Sequence, residues 1–198
     1  GGGADAVYGV GMIGAWVYDL LASNPQPKEK TMADSILMAY ATRTGSTQEV
    51  ADKIAATLRE RGLAVEVQPV KQVQTLDGYR AVVVGAPLYM SDWLKEARNF
   101  MSRHRATLAT LPVAIFALGP TENKEKDWTE TRKQFDKVLS QFPWLTPVAA
   151  ELFGGRFDPA RLTFPYNLIP GLKRMPVNDI RDWDAIGAWA NGLAEKLG

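Results

Sequence analysis

The sequence predicts an α/β domain from about Ser35 to the C-terminus, built on a five-stranded parallel sheet with helices on both faces. Three observations carry this. Short runs rich in β-branched and apolar residues alternate with stretches whose apolar residues recur at helical spacing. Helical stretches separate the runs, and such crossovers imply a parallel sheet with helices on both faces. The strongest run, Arg80-Ala81-Val82-Val83-Val84-Gly85, is apolar on both faces, as a buried central strand must be.

Taken in order, Ser35 to Tyr40 reads as the first strand, and Val50, Ala51, Ile54 and Leu58 mark the apolar stripe of the helix after it. Arg61-Gly62 closes that helix, and Ala64 to Val70 supplies the second strand. Arg80 to Gly85 is the third. Ser91 to Ser102, with Trp93, Leu94, Ala97, Phe100 and Met101 on one face, is predicted as a helix, and Val113 to Leu118 as the fourth strand. Thr129 to Leu139 is a helix with Trp128 at its mouth, Val148 to Phe153 the fifth strand, and Asp182 to Leu197 the closing helix. Right-handed crossovers then give the doubly wound order 2-1-3-4-5.

Composition narrows the chemistry. Twenty-three Lys and Arg against 22 Asp and Glu leave a formal charge of +1, which offers no electrostatic footprint for nucleic acid. The chain has no cysteine, which excludes disulfides, iron–sulfur clusters and a thiol nucleophile, and its single histidine, His104, excludes multi-histidine metal sites. Demanding chemistry therefore falls to a bound cofactor.

The first 31 residues differ from the rest and read as an appendage, native or added, with Met32 as a candidate start of the domain. Ala6 to Tyr18 is thirteen uncharged, mostly apolar residues, and a polar linker follows from Ser23. That is shorter than the roughly 20 residues a membrane span needs, so an interfacial, packed or partner-binding helix over residues 6–22 is expected. Gly9-Val10-Gly11-Met12-Ile13-Gly14 fits the dinucleotide fingerprint, but no strand precedes it. It is read as a chance match.

In an open parallel sheet, ligands sit beyond the carboxyl ends of the strands, so the segments after the first, third and fourth strands are the candidate site. After the first comes Thr42-Arg43-Thr44-Gly45-Ser46-Thr47, with four hydroxyls and a glycine opening into a helix. Hydroxyls, turn amides and a helix N-terminus together solvate a phosphate dianion; the plainer reading is a helix capped by Ser46 or Thr47. After the third comes Ala86-Pro87-Leu88-Tyr89-Met90-Ser91-Asp92-Trp93, read as a loop whose apolar and aromatic groups suit a flat hydrophobic ring. The plainer reading is that Tyr89 and Trp93 cover the next helix. After the fourth strand, Gly119-Pro120-Thr121-Glu122-Asn123 is a turn cluster suited to a loop that presents backbone groups.

Tyr40 to Thr47, with Ala51 beyond it, resembles the phosphate-loop signature of flavodoxins. The resemblance implies that Thr42, Arg43, Thr44, Gly45, Ser46 and Thr47 bind the phosphate of FMN, and that Ala86, Pro87, Leu88, Tyr89, Met90, Trp93 and Ala117 to Thr121 hold its ring. Phe153-Gly154-Gly155-Arg156, an insert at about 154–178 and the Asp182-Trp183 pair are similar to menaquinone-dependent protoporphyrinogen IX dehydrogenases and their flavodoxin-domain relatives. That implies an FMN-dependent oxidoreductase acting on a protoporphyrinogen or related hydrophobic substrate with a quinone acceptor. A cytoplasmic location is expected, with peripheral membrane contact through residues 6–22 or 162–175 as one option. An electron-transfer flavodoxin working with a redox partner protein, and a non-catalytic interaction module, remain as alternatives. Within the insert, residues 162–175 combine apolar side chains with Lys173 and Arg174, which suits a membrane surface or a substrate wall and equally suits packing over the sheet edge. Arg98, Arg103, His104 and Arg105 are read as cations favoured at a helix C-terminus rather than as a site.

Overall fold

The computed structural model describes residues 35–89 and 91–198. The segment 1–31, with its expected helix, and Met32 and Met90 lie outside the described residues. The chain runs β1 (Ser35–Tyr40), α1 (Ser46–Glu60), β2 (Ala64–Pro69), β3 (Tyr79–Tyr89), β4 (Asp92–Trp93), α2 (Lys95–Arg103) and α3 (Arg105–Leu108). It continues through β5 (Val113–Leu118), α4 (Glu125–Ser140), β6 (Ala149–Phe153), β7 (Arg156–Phe157), α5 (Pro170–Lys173), β8 (Asn178–Asp179) and α6 (Trp183–Leu197).

The main sheet is parallel in the order β2-β1-β3-β5-β6, which is the predicted 2-1-3-4-5 once the two-residue β4 is set aside. Because side chains alternate along each strand, the sheet buries a separate apolar layer on each face. Ile36, Met38, Ala81, Val83 and Phe116 meet α1 and α6 on one side; Leu37, Val82, Val84 and Ile115 meet α2 and α4 on the other. Asp182 caps α6, its Oδ1 accepting from the amides of Asp184 and Ala185. Among the described residues, no helix is long and apolar enough to cross a membrane.

Two expectations are corrected. Residues 86–89 are not a loop: β3 runs on to Tyr89 and turns back into β4, pairing Leu88 with Trp93 and Tyr89 with Asp92. The helix expected from Ser91 starts only at Lys95, because Ser91 adopts a left-handed φ of 68° in that turn and the Trp93 amide bonds the Asp92 carboxylate at 2.8 Å. Helical spacing of Trp93, Leu94 and Ala97 disguised a hairpin. At the end of α2, Arg103 donates to the carbonyls of Val70 and Val73, so that cation fastens the chain beyond β2.

The insert is a clasp. β7 and β8 pair antiparallel, with Arg156 opposite Asp179 and Phe157 opposite Asn178, and residues 159–175 project between them. Its outer face leaves Phe164, Leu168, Ile169, Met175 and Val177 exposed.

Candidate functional site

The carboxyl ends of β1, β3 and β5 open on one edge of the sheet, and the turn leaving β1 is held there by the Ala41 amide bonding the Gly85 carbonyl at 2.9 Å. Gly45 precedes α1 as its N-cap with φ 90°, a conformation that glycine adopts without steric cost. No side chain caps the helix, so the hydroxyls of Ser46 and Thr47 are not used that way, contrary to the plainer sequence reading. Thr42 Oγ1 instead accepts from the Gly45 amide at 3.0 Å. Thr47 is fully buried and its Oγ1 has no hydrogen-bond partner. The first amides of α1 have no acceptor within the helix, so hydroxyl and helix terminus together form an anion-binding arrangement that protein atoms leave unsatisfied.

Beside the turn lies a cavity of about 410 Å³. Arg43, Thr44 and Ser46 line it from the turn after β1, Pro87, Leu88 and Tyr89 from the end of β3, and Leu118, Gly119 and Thr121 from the end of β5. The remaining wall comes from the clasp: Gly155, Arg156, Phe157, Leu162, Thr163, Tyr166 and Leu172. Tyr89 and Tyr166 meet edge to face, centroids 5.6 Å apart, and the Arg43 guanidinium lies 4.6 Å over the Tyr89 ring. Burial and the hydrogen bond with Tyr166 push the Tyr89 hydroxyl up to about 12 against the pull of Arg43, so at neutral pH it is a neutral hydrogen-bonding group.

Charges tie the clasp to this turn. Glu49, in the first turn of α1, accepts from Arg161 at 2.6 Å and from Arg181 at 2.7 Å, with Arg156 at 3.7 Å. Asp158 pairs with Arg156 at 2.8 Å, and Asp179 chelates Arg181 through both carboxylate oxygens. Burial raises the Glu49 pKa, but the hydrogen bonds and charges of Arg161 and Arg181 outweigh it and hold the carboxyl below its ordinary range. Arg181 does the same for Asp179. A carboxyl depressed in the folded state stabilises it above the unfolded pKa, and that contribution disappears as pH falls through the folded value. The difference in melting temperature between wild type and Glu49→Gln should therefore be constant above roughly pH 5 and shrink below about pH 4, where the free carboxyl titrates; a difference unchanged down to pH 3 would contradict the network.

Of the residues singled out in the sequence, Arg43, Thr44, Ser46, Pro87, Leu88, Tyr89, Leu118, Gly119 and Thr121 meet at this cavity. Thr42, Gly45 and Thr47 build the turn from behind. Ala86 and Ala117 are fully buried in the core, and Pro120 is buried with its carbonyl accepting from the Gly155 amide at 2.8 Å, which docks the clasp on the β5 loop. Trp93 is corrected: it is 2% exposed, packs on Phe142, and its indole donates to the Ala86 carbonyl at 3.0 Å, so it belongs to the core beneath the wall. Met90 lies outside the described residues. Leu162, Thr163, Tyr166 and Leu172 fall in the segment offered as a substrate wall, whereas the lining by Gly155, Arg156 and Phe157 and the arginine network were missed. The available signal was Gly154-Gly155: a Cβ on Gly154 would lie 2.2 Å from the Ile180 carbonyl oxygen, and one on Gly155 would lie 2.8 Å from the Gly119 carbonyl oxygen, so both positions allow main chains to touch at the site.

The profile of the flavodoxin domain family matches residues 37–168, and the chain belongs to that family. It is a flavodoxin-type oxidoreductase domain, and FMN is its cofactor. The residues present fit that group, since the buried hydroxyl without a partner stands at the helix terminus where a phosphate would sit and the cavity opens beside it. Among individual proteins, the chain is similar to the protoporphyrinogen IX dehydrogenase [quinone] of Escherichia coli K12, 24% identical over 169 residues that cover 80% of this chain and 93% of the relative. Its fold is similar to that of a short-chain flavodoxin associated with a PDU bacterial microcompartment, with TM-score 0.54, 18% identity and coverage of 83% and 99%. It is likewise similar to oxidised flavodoxin 1 of Bacillus cereus, with TM-score 0.52, 15% identity and coverage of 83% and 99%.

Proposed function

We propose that this chain uses FMN to oxidise a hydrophobic substrate of the porphyrinogen class and passes the electrons to a quinone. Bound FMN supplies reversible two-electron chemistry; the protein binds, orients and shields. Thr42, Thr44, Ser46, Thr47 and the first amides of α1 hold the phosphate, while Pro87 to Tyr89 and Leu118 to Thr121 flank the ring. Arg43 and Tyr89 bound the ring from the turn side, and the clasp excludes water from its outer face.

One observation carries the reading beyond a simple electron shuttle. The cavity is closed on one side by the clasp, whose inner residues Leu162, Tyr166 and Leu172 are apolar and whose outer residues Phe164, Leu168, Ile169 and Met175 are exposed. Between Pro159 and Asn178 there is no acidic residue, while Lys173 and Arg174 are present. An apolar surface with adjacent cations suits peripheral contact with an anionic membrane, where lipid-soluble quinones are found. The relative of this chain named as a quinone-linked protoporphyrinogen IX dehydrogenase supports the same reading.

The test has two steps. Purified protein should be yellow, with oxidised-flavin absorbance retained through gel filtration. It should then turn over protoporphyrinogen with a menaquinone analogue. Yellow protein that exchanges electrons only with a partner reductase would be an electron-transfer flavodoxin, and colourless protein unable to take up FMN would be an interaction module.

A further inference from the structure

Resting on the FMN reading above, we propose that Arg161 and Arg181, supplied by the clasp and by the segment that follows its closing strand β8, are positioning residues for the flavin phosphate. Neither lies in the phosphate-loop signature. Each reaches the turn from outside: Arg161 Nη1 donates to the Thr44 carbonyl at 3.3 Å, and Arg181 Nη1 to the Ser46 carbonyl at 3.4 Å. Arg161 also packs directly on the glycine of the turn, its Nη1 lying 3.4 Å from where a Gly45 Cβ would stand.

The effect follows from peptide geometry. In a planar trans peptide the C=O and N–H point in opposite directions. Drawing the Ser46 carbonyl toward Arg181 turns the Thr47 amide the other way, into the turn, beside the buried Thr47 hydroxyl that has no partner. Drawing the Thr44 carbonyl toward Arg161 turns the Gly45 amide inward, where it bonds and orients Thr42 Oγ1. Two arginines thus aim two N–H groups and, through the Gly45 amide, the Thr42 hydroxyl.

The same side chains remove an obstacle. Glu49 sits in the first turn of α1, where a carboxylate would repel a phosphate dianion bound at that helix terminus. Arg161 and Arg181 each pair with one of its oxygens, at 2.6 and 2.7 Å. Arg161 is itself anchored: it closes the short helical turn Pro159–Arg161, which Asp158 caps by accepting from the Ala160 amide at 3.0 Å. The clasp that walls the cavity therefore also shapes the turn.

The test compares FMN with riboflavin, which has the same ring and no phosphate, on the full chain carrying Arg161→Ala or Arg161→Lys. Arg161 is half-exposed, and a flavin-free variant that still melts cooperatively, lowered only by the loss of its pair with Glu49, verifies its fold. The alanine variant should bind FMN about tenfold more weakly, the loss expected for one charge-assisted hydrogen bond. Riboflavin affinity should stay within about twofold, and the lysine variant should fall between wild type and alanine for FMN. Equal losses for both flavins would mean that the clasp merely covers the ring, and would overturn the positioning role, as would no loss for either. Wild type that binds neither flavin would overturn the FMN reading itself.

Discussion

Replacing Thr47 with valine is expected to weaken FMN binding strongly while leaving the flavin-free protein at least as stable as wild type. The two effects have opposite signs because the hydroxyl does different things in the two states. Without ligand, Thr47 Oγ1 is a buried polar atom with no hydrogen-bond partner in a side chain that is fully buried. Such an orphan costs on the order of 1–3 kcal/mol, and valine, of nearly the same shape, removes it. In the proposed complex the hydroxyl would donate to a phosphate oxygen, and a hydrogen bond to a charged group contributes about 1.5–3 kcal/mol. The affinity should therefore fall by roughly ten- to a hundredfold. Flavin-fluorescence titration gives the first quantity and thermal melting of the flavin-free protein the second. A variant that binds FMN normally, or loses stability, would show that the hydroxyl is not aimed at a phosphate.

That hydroxyl was visible in the sequence; the arginines that reach its turn from outside were not. Thr42 to Thr47 is a local pattern in which strand, turn and helix N-terminus follow within about ten residues, so the chemistry could be read along the chain. The sheet was legible for a similar reason: β1, β3 and β5 are buried on both faces and so read as unbroken apolar runs. Trp93 was misplaced because periodicity cannot distinguish a two-residue hairpin strand from a first helical turn. The Asp92 carboxylate and the left-handed Ser91 decide it, and both act through backbone geometry. The Glu49 network was illegible for another reason. Its arginines lie more than 100 residues further along the chain, and only the β7–β8 pairing and the contact of Gly154 with Ile180 bring them to α1.

Gly85→Ala should be among the most damaging single-methyl additions in the chain, and its cause is again a contact between distant residues. β3 alternates Ala81, Val83 and Gly85 toward the layer beneath α1 and α6, and β5 places Phe116 opposite Gly85. The ring occupies the space a side chain would take: a Cβ at position 85 would lie 1.9 Å from Phe116 Cζ. Phe116 cannot easily yield, since it is fully buried and packed against Phe153 and Trp189, with centroids 6.2 Å away in each case. Overpacking of this kind costs about 3 kcal/mol at the upper end of its usual range, a fall of roughly 6–12 °C in melting temperature for a domain of this size. The cost should also reach the site, because the Gly85 carbonyl holds the Ala41 amide and the next residues of β3 carry Pro87 to Tyr89 to the cavity wall. Flavin affinity should thus fall together with the melting temperature. Phe116→Leu shortens the side chain that collides, so the double variant should regain most of both losses, as the coupling between touching residues requires. A double variant no better than Gly85→Ala alone would mean that the strain lies in the backbone of β3 and not in the ring lodged against it.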